Sequence, residues 1–89
     1  MISKLAARFR KDFDGLPEDI QTLARHAYRL WRQDPWHDSL QFKRVSPNRP
    51  YYSVRIGAHW RAVGLRSGNW IVWFWIGTHA EYDGLLRQL

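Results

Sequence analysis

The chain has 89 residues, with 14 Lys and Arg against 8 Asp and Glu, four His and no Cys, for a formal charge of +6 at pH 7. That length fits a single domain, residues 1–89, and 45% apolar with 16% aromatic residues excludes a disordered segment. Without Cys there are neither disulfides nor thiolate zinc sites, and no apolar run is long enough for a membrane span or a secretory leader, so a cytoplasmic protein is expected.

In chain order, Ser3 is a capping residue for a first helix over about 4–13, where Leu5, Ala6, Phe9 and Phe13 recur at helical spacing and Gly15 marks the end. Pro17 suits a helix start, and Glu18 and Asp19 sit where the helix dipole favours acids. The stripe Ile20, Leu23, Ala24, Ala27, Leu30 and Trp31 then predicts a second helix ending near Gln33, stopped by Asp34-Pro35. The short joining segment makes the pair an antiparallel hairpin.

From position 40 the hydrophobic period drops to two. Strands are predicted over Leu40–Val45, Tyr51–Gly57, Trp60–Arg66 and Trp70–Ile76, separated by turn-like runs. The connections are short enough that the last three must form an antiparallel meander. Strict alternation in the last strand would place Trp70, Val72, Phe74 and Ile76 on one face and Ile71, Trp73 and Trp75 on the other, so the strand is either central and covered on both sides or leaves one face, such as that of Trp73 and Trp75, for a partner. Thr78 and Glu81 have the spacing of a capping box, which starts a short C-terminal helix docked through Leu85, Leu86 and Leu89. The expected fold is α+β: an N-terminal helical hairpin packed on a small antiparallel sheet of about four strands, then one short helix.

Residues able to carry chemistry are few. His26, His37, His59 and His79 lack metal-ligand spacing, and the phosphate-loop, dinucleotide and acyl-transfer signatures are absent. Eleven of the 14 basic residues are Arg, which binds phosphate bidentately and stacks on flat rings, so a polyanion or an acidic protein is the expected partner. Arg55 and Arg61 flank a very short turn between two strands, which brings both guanidiniums near one another if they share a face; the parity of Arg61 leaves this open. His79 and Tyr82 are three apart at the start of the last helix and can share its face. The same residues have plain structural uses: paired or solvated Arg, a Tyr fastening helix to sheet, Lys43 and Arg44 keeping an edge soluble.

Four segments in order, LPEDIQTLARHAYRLW, DPWHDSLQFKRV, YSVRIGAHWRAVG and IVWFWIGTHAEYDGLL, cover nearly the whole chain and resemble the RelE/ParE superfamily of bacterial toxins from type II toxin–antitoxin systems. The resemblance implies a toxin neutralised by a cognate antitoxin, and, for its nuclease members, a ribosome-dependent mRNA endoribonuclease (an mRNA interferase) that inhibits translation. Carried over by position, Arg61 looks like the phosphate-stabilising Arg, and Arg55 stands where some members have a catalytic Lys. His79 falls where others have Arg or His, and Tyr82 is similar to the C-terminal Tyr; Lys43, Arg44, Arg49 and His59 would bind RNA. Ser53 replaces a second Lys of some nucleases. The family begins with a full strand, for which only Met1-Ile2 precedes the expected helix, so the sheet edge is expected to be open or completed by a partner. The chemistry implied is attack of a 2′-hydroxyl on the adjacent phosphate, needing neither metal nor other cofactor: Arg61 and Arg55 stabilise charge, His79 moves the proton because imidazole ordinarily titrates near neutrality, and Tyr82 orients or stacks on a base. The alternatives are a ParE-like inhibitor of DNA gyrase without nuclease activity, and an inactive toxin-like RNA or protein interaction domain.

Overall fold

The computed structural model describes residues 1–89. Its elements are β1 (Ile2–Leu5), α1 (Ala7–Asp14), α2 (Glu18–Gln33), β2 (Lys43–Arg44), β3 (Tyr51–Ile56), β4 (Trp60–Ser67), β5 (Trp70–Thr78) and α3 (His79–Leu86). The strands form one sheet in the order β1-β5-β4-β3-β2, antiparallel except for the parallel β1–β5 pair. The α+β arrangement, the hairpin, the meander and the final helix are as expected, with a fifth strand added.

That fifth strand corrects the expected start. Residues 2–5 alternate exposed and half-buried, and they pair with Trp70–Trp73, with further bonds from Ile2 N–H to the Asn69 carbonyl (2.8 Å) and from Ala6 N–H to the Trp73 carbonyl (2.9 Å). A long-range ladder outcompetes the local helical option, and α1 starts only at Ala7. Ser3 caps nothing; its hydroxyl is bonded to that of Tyr28 on α2. The sheet therefore has its N-terminal strand, and the edge is completed by the chain itself.

The segment expected as a strand over Leu40–Val45 is shorter. Asp38–Leu40 forms a 3₁₀ turn in which the His37 side chain accepts from Ser39 N–H, and Gln41 follows at φ 47°, in the left-handed region. The kink leaves only Lys43 and Arg44 to pair with Ser53 and Tyr52.

The alternation expected for β5 is broken by a bulge. Gly64 pairs with Trp73 but Val63 pairs with Trp75, so Phe74 is the extra residue. The buried set switches parity there: Ile71, Trp73 and Ile76 share the helix-facing core, while Trp75 turns to the opposite face. Trp73 is 3% exposed and is no free docking surface. Gly64 permits the close approach, since a Cβ on it would lie 2.8 Å from Ile71 Cγ1 and 2.9 Å from Trp73 Cε3.

Between hairpin and sheet lies the core, formed by Phe9, Ala24, Trp31, Leu40, Phe42, Val54, Ile56, Ala62, Ile71, Trp73 and Ile76. Trp31 is its centre, 1% exposed and within 6.2 Å, centroid to centroid, of the rings of Tyr28, Phe42 and Trp73. The other face of the sheet carries α3, and between the two lies the candidate site.

Candidate functional site

Cross-strand register decides which polar side chains meet. Val54 pairs with Ala62 and both are buried in the core, so the neighbouring pair Arg55–Arg61 projects from the opposite face, the one carrying α3. The parity of Arg61 is thereby settled: Trp60 and Ala62 face the hairpin, Arg61 does not. Each guanidinium is held by a local carbonyl, Arg55 Nε by Gly57 (2.9 Å) and Arg61 Nη1 by Trp60 (2.8 Å). On β5 the residue opposite Arg61 is Gly77. A Cβ there would lie 2.6 Å from Trp75 Cζ2 and 3.2 Å from Glu81 Oε1, so the absent side chain lets Trp75 lie across the strand beside Arg61.

Above this pair stands α3, fixed at both ends. At its start, the Thr78 hydroxyl accepts from Glu81 N–H (3.2 Å) and the Glu81 carboxylate accepts from Thr78 N–H (2.8 Å), a complete capping box. His79 N–H donates to the His59 carbonyl of the β3–β4 turn (2.7 Å). Farther along, Tyr82 is 6% exposed, its ring 6.4 Å from that of Trp75 and its hydroxyl 2.9 Å from Ser53 Oγ, itself 2% exposed. The C-terminus is tied down where Ser46 Oγ donates to the Leu89 carbonyl (3.2 Å).

Arg61 sits at the electrostatic centre of this cluster. Burial lowers its pKa from the ordinary guanidinium value, Arg55 lowers it further, and Tyr82 and Asp83 act the other way. It stays cationic. Two half-buried guanidiniums that repel one another, with only a partial carboxylate counterweight, form a site that gains from binding an anion. Beside them His79 Nδ1 lies 3.3 Å from Asp83 Oδ2, one turn on along α3, while the ring stays half exposed. This leaves Nε2 of the imidazole as the atom able to meet a ligand.

Arg55, Arg61, His79 and Tyr82 are thus brought together, as the sequence suggested. Tyr82 is buried with its hydroxyl bonded to Ser53, which leaves little of the ring open to a stacked base. Of the four residues expected to bind RNA, Lys43 pairs with Ser53 and so lies on the face of the arginine pair, and His59 abuts the start of α3. Arg44 pairs with Tyr52, on the opposite face of β2, and its Nε donates to the Ser46 carbonyl (2.9 Å); Arg49 is exposed in the loop before β3. Sequence reasoning missed the roles of Asp83 and Ser53. The four-residue spacing of His79 and Asp83 was a usable signal for the first; nothing local linked Ser53 to a residue 29 positions away.

Acid stability tests the helix start. Hydrogen bonds from the Thr78 backbone and then its side chain hold the Glu81 pKa below the ordinary glutamate value. A depressed folded-state value means that this stabilisation is present above the ordinary pKa and disappears as pH falls through the lowered one. Glu81→Gln is expected to flatten that limb of the stability–pH curve, and Thr78→Ala to cost about 1 kcal/mol in denaturant unfolding.

No helix is long and apolar enough to cross a membrane. No curated protein matches the sequence. Among solved structures, a copper-bound mutant toxin from Helicobacter pylori superposes with a TM-score of 0.62 over 91% of this chain and 97% of that one, at 20% identity. At that identity the likeness shows a shared fold. The family model for a ParE-like toxin domain matches residues 18–84, a span running from the start of α2 through β2–β5 into α3 and including the arginine pair, His79 and Tyr82. The chain belongs to the ParE-like toxin domain family.

Proposed function

We propose that this toxin is a ribosome-dependent mRNA endoribonuclease whose site is the Arg55–Arg61 pair with His79. The observation that carries the reading is the joint placement of two guanidiniums at a cross-strand pair and an Asp83-paired imidazole on the helix above them. RNA cleavage of this kind draws on those side chains and on solvent water. The 2′-hydroxyl attacks the adjacent phosphorus, the bond to the 5′-oxygen breaks, and the products are a 2′,3′-cyclic phosphate and a 5′-hydroxyl. Arg61 and Arg55 meet the negative charge that builds on the non-bridging oxygens. His79 Nε2 takes the 2′-hydroxyl proton, Asp83 stabilises the imidazolium that results, the departing 5′-oxygen takes a proton from solvent water, and the imidazolium returns its proton to solvent. Tyr82, clamped to Ser53, holds α3 at the right height. Lys43 extends the positive rim toward flanking phosphates, with His59 beside the start of α3 as a hydrogen-bonding group, and binding depends strongly on salt.

A cognate antitoxin is part of the same proposal. Ile2, Leu65, Trp70 and Val72 form an exposed apolar strip on the α3 face, running from β4 to the β1 edge, with each of them 37–48% exposed. An acidic, partly apolar segment fits that strip on a chain of charge +6. DNA gyrase inhibition is the second reading, favoured by Ser53: where some nucleases of the superfamily carry a Lys, this chain has a buried hydroxyl committed to Tyr82.

Mapping mRNA 5′ ends within minutes of induction separates the two. New ends inside translated frames, lost in an Arg61→Ala/His79→Ala double variant at equal soluble expression, are the expected result. Growth arrest with intact mRNA, retained by His79→Ala, would overturn the nuclease and direct attention to gyrase supercoiling.

A further inference from the structure

Where α2 ends the chain turns sharply, with Asp34 N–H bonded to the Leu30 carbonyl (2.8 Å) and His37 N–H to that of Asp34 (3.1 Å). Trp36 stands in this turn, 57% exposed, the most exposed large hydrophobic side chain of the protein. Its ring centroid lies 4.9 Å from that of the core residue Phe42. Covering Phe42 asks only for an apolar group, and gives no reason for an indole with more than half of its surface in water.

Two arginines stand on the same side of the sheet. Arg66 pairs with the core residue Ile71 and Arg44 with Tyr52, so both project from the hairpin face, opposite Arg55 and Arg61. The Arg66 guanidinium carbon is 6.0 Å from the Trp36 ring centroid and 5.2 Å from that of Tyr52, within cation–π reach of both. Its Nε donates to the Gly68 carbonyl (3.1 Å) and its Nη1 to the Tyr52 hydroxyl (3.4 Å), while Arg44 Nε donates to the Ser46 carbonyl (2.9 Å). Arg66 Nη2 and both terminal nitrogens of Arg44 are left without a partner in the chain, and neither arginine is paired with a carboxylate. Asp34 and Asp38 flank Trp36 along the chain, exposed and unpaired, so the side of the ring suited to an anion is the one toward the strands.

An open aromatic ring takes the face of another flat ring, and guanidinium donors without partners take phosphate oxygens. A nucleotide carries both. The ring lies on an open surface, which suits one nucleotide of a strand whose other phosphates meet the +6 chain elsewhere, and gives too little enclosure for a free mononucleotide.

We propose that Trp36, with Arg44 and Arg66, is a stacking platform for a base of single-stranded nucleic acid, on the face of the sheet opposite the proposed nuclease centre. The interior bases of a duplex cannot use it, because they are stacked on one another and present only phosphates to the arginines.

The probe is a short fluorescein-labelled 2′-O-methyl RNA strand, which has no free 2′-hydroxyl at which to be cleaved, used alone or annealed to its complement. Polarisation of the label reads binding to the intact chain. Trp36→Leu, which still covers Phe42, is expected to weaken single-strand binding roughly tenfold, the effect of losing one base–aromatic stack, and to leave duplex binding unchanged. Trp36→Phe keeps a ring and should stay within about threefold of the parent chain. Arg44→Gln should weaken both forms and flatten their salt dependence. The Trp36→Leu effect should persist in an Arg55→Ala/Arg61→Ala background, so it is read separately from the nuclease assignment. Parallel loss of single-strand and duplex binding would make Trp36 a structural cover and overturn the proposal. Unchanged single-strand binding by Trp36→Leu, or an effect that vanishes in the double-arginine background, would do the same. Displacement of the labelled strand by polyglutamate as readily as by unlabelled strand of equal charge would assign the patch to an acidic protein segment instead and overturn it too.

Discussion

Arg61→Ala is expected to slow mRNA cleavage by about 10²–10³-fold, the usual effect of deleting one preorganised group that meets transition-state charge, and to leave stability unchanged or raised. The two halves of that expectation come from the same environment. Burial first, then Arg55, disfavours the Arg61 cation, so the folded state holds that charge at a cost that removal relieves. A residue that the fold tolerates but does not need is the signature of a binding or catalytic group. Ribosome-programmed mRNA cleavage and urea unfolding, measured on the same preparations, check both halves. Arg61→Lys should fall between wild type and Ala, because it keeps the charge but loses the two-pronged contact with phosphate. If Ala substitution lowers stability and cleavage in parallel, Arg61 is a structural residue and the assignment fails.

Trp31→Ala should have the largest effect on stability of any single substitution, about 3–5 kcal/mol in a domain whose total is on the order of 5–15 kcal/mol. Trp31 is 1% exposed and joins α2 to the sheet through Phe42 and Trp73, each packed edge-to-face against it. Its removal leaves α2 with one other buried residue, Ala24. The midpoint of urea unfolding, followed by far-ultraviolet circular dichroism, measures the loss. Trp31→Phe should cost much less, since it keeps most of the ring and discards an N–H that no group in the chain satisfies. A cost below about 1 kcal/mol for the Ala variant would show that the hairpin is held chiefly by α1 against β5.

Wherever a local pattern and the tertiary demand agreed, the fold was legible in the sequence. The α2 stripe, its stop at Asp34-Pro35, the β3–β5 meander and the Thr78–Glu81 capping box all depend on residues within a turn or two of one another. The misreadings were at positions whose conformation is chosen by distant partners. Lys4 and Leu5 suit the start of a helix capped by Ser3, yet residues 2–5 become a strand because β5 presents an unpaired edge nearly 70 residues away in sequence. Phe74 sits in a run of residues that are all apolar, so nothing in the sequence marks the break in the sheet, because the bulge at Val63/Gly64 is a property of two strands and not of one.

The candidate site divides along the same line. By itself the sequence determined the chemical repertoire: a basic, Arg-rich, Cys-free domain, with Arg55 and Arg61 close to one short turn and His79 and Tyr82 at one helix start. Only the tertiary structure decided that Arg61 faces away from the core, that α3 crosses the same side, and that Ser53 takes up the Tyr82 hydroxyl. Side-chain type and short-range spacing are local quantities that a linear chain carries on its face. Strand register and helix placement are set by burying Trp31, Ile71 and Trp73 together against water, a balance over the whole chain that no single segment encodes.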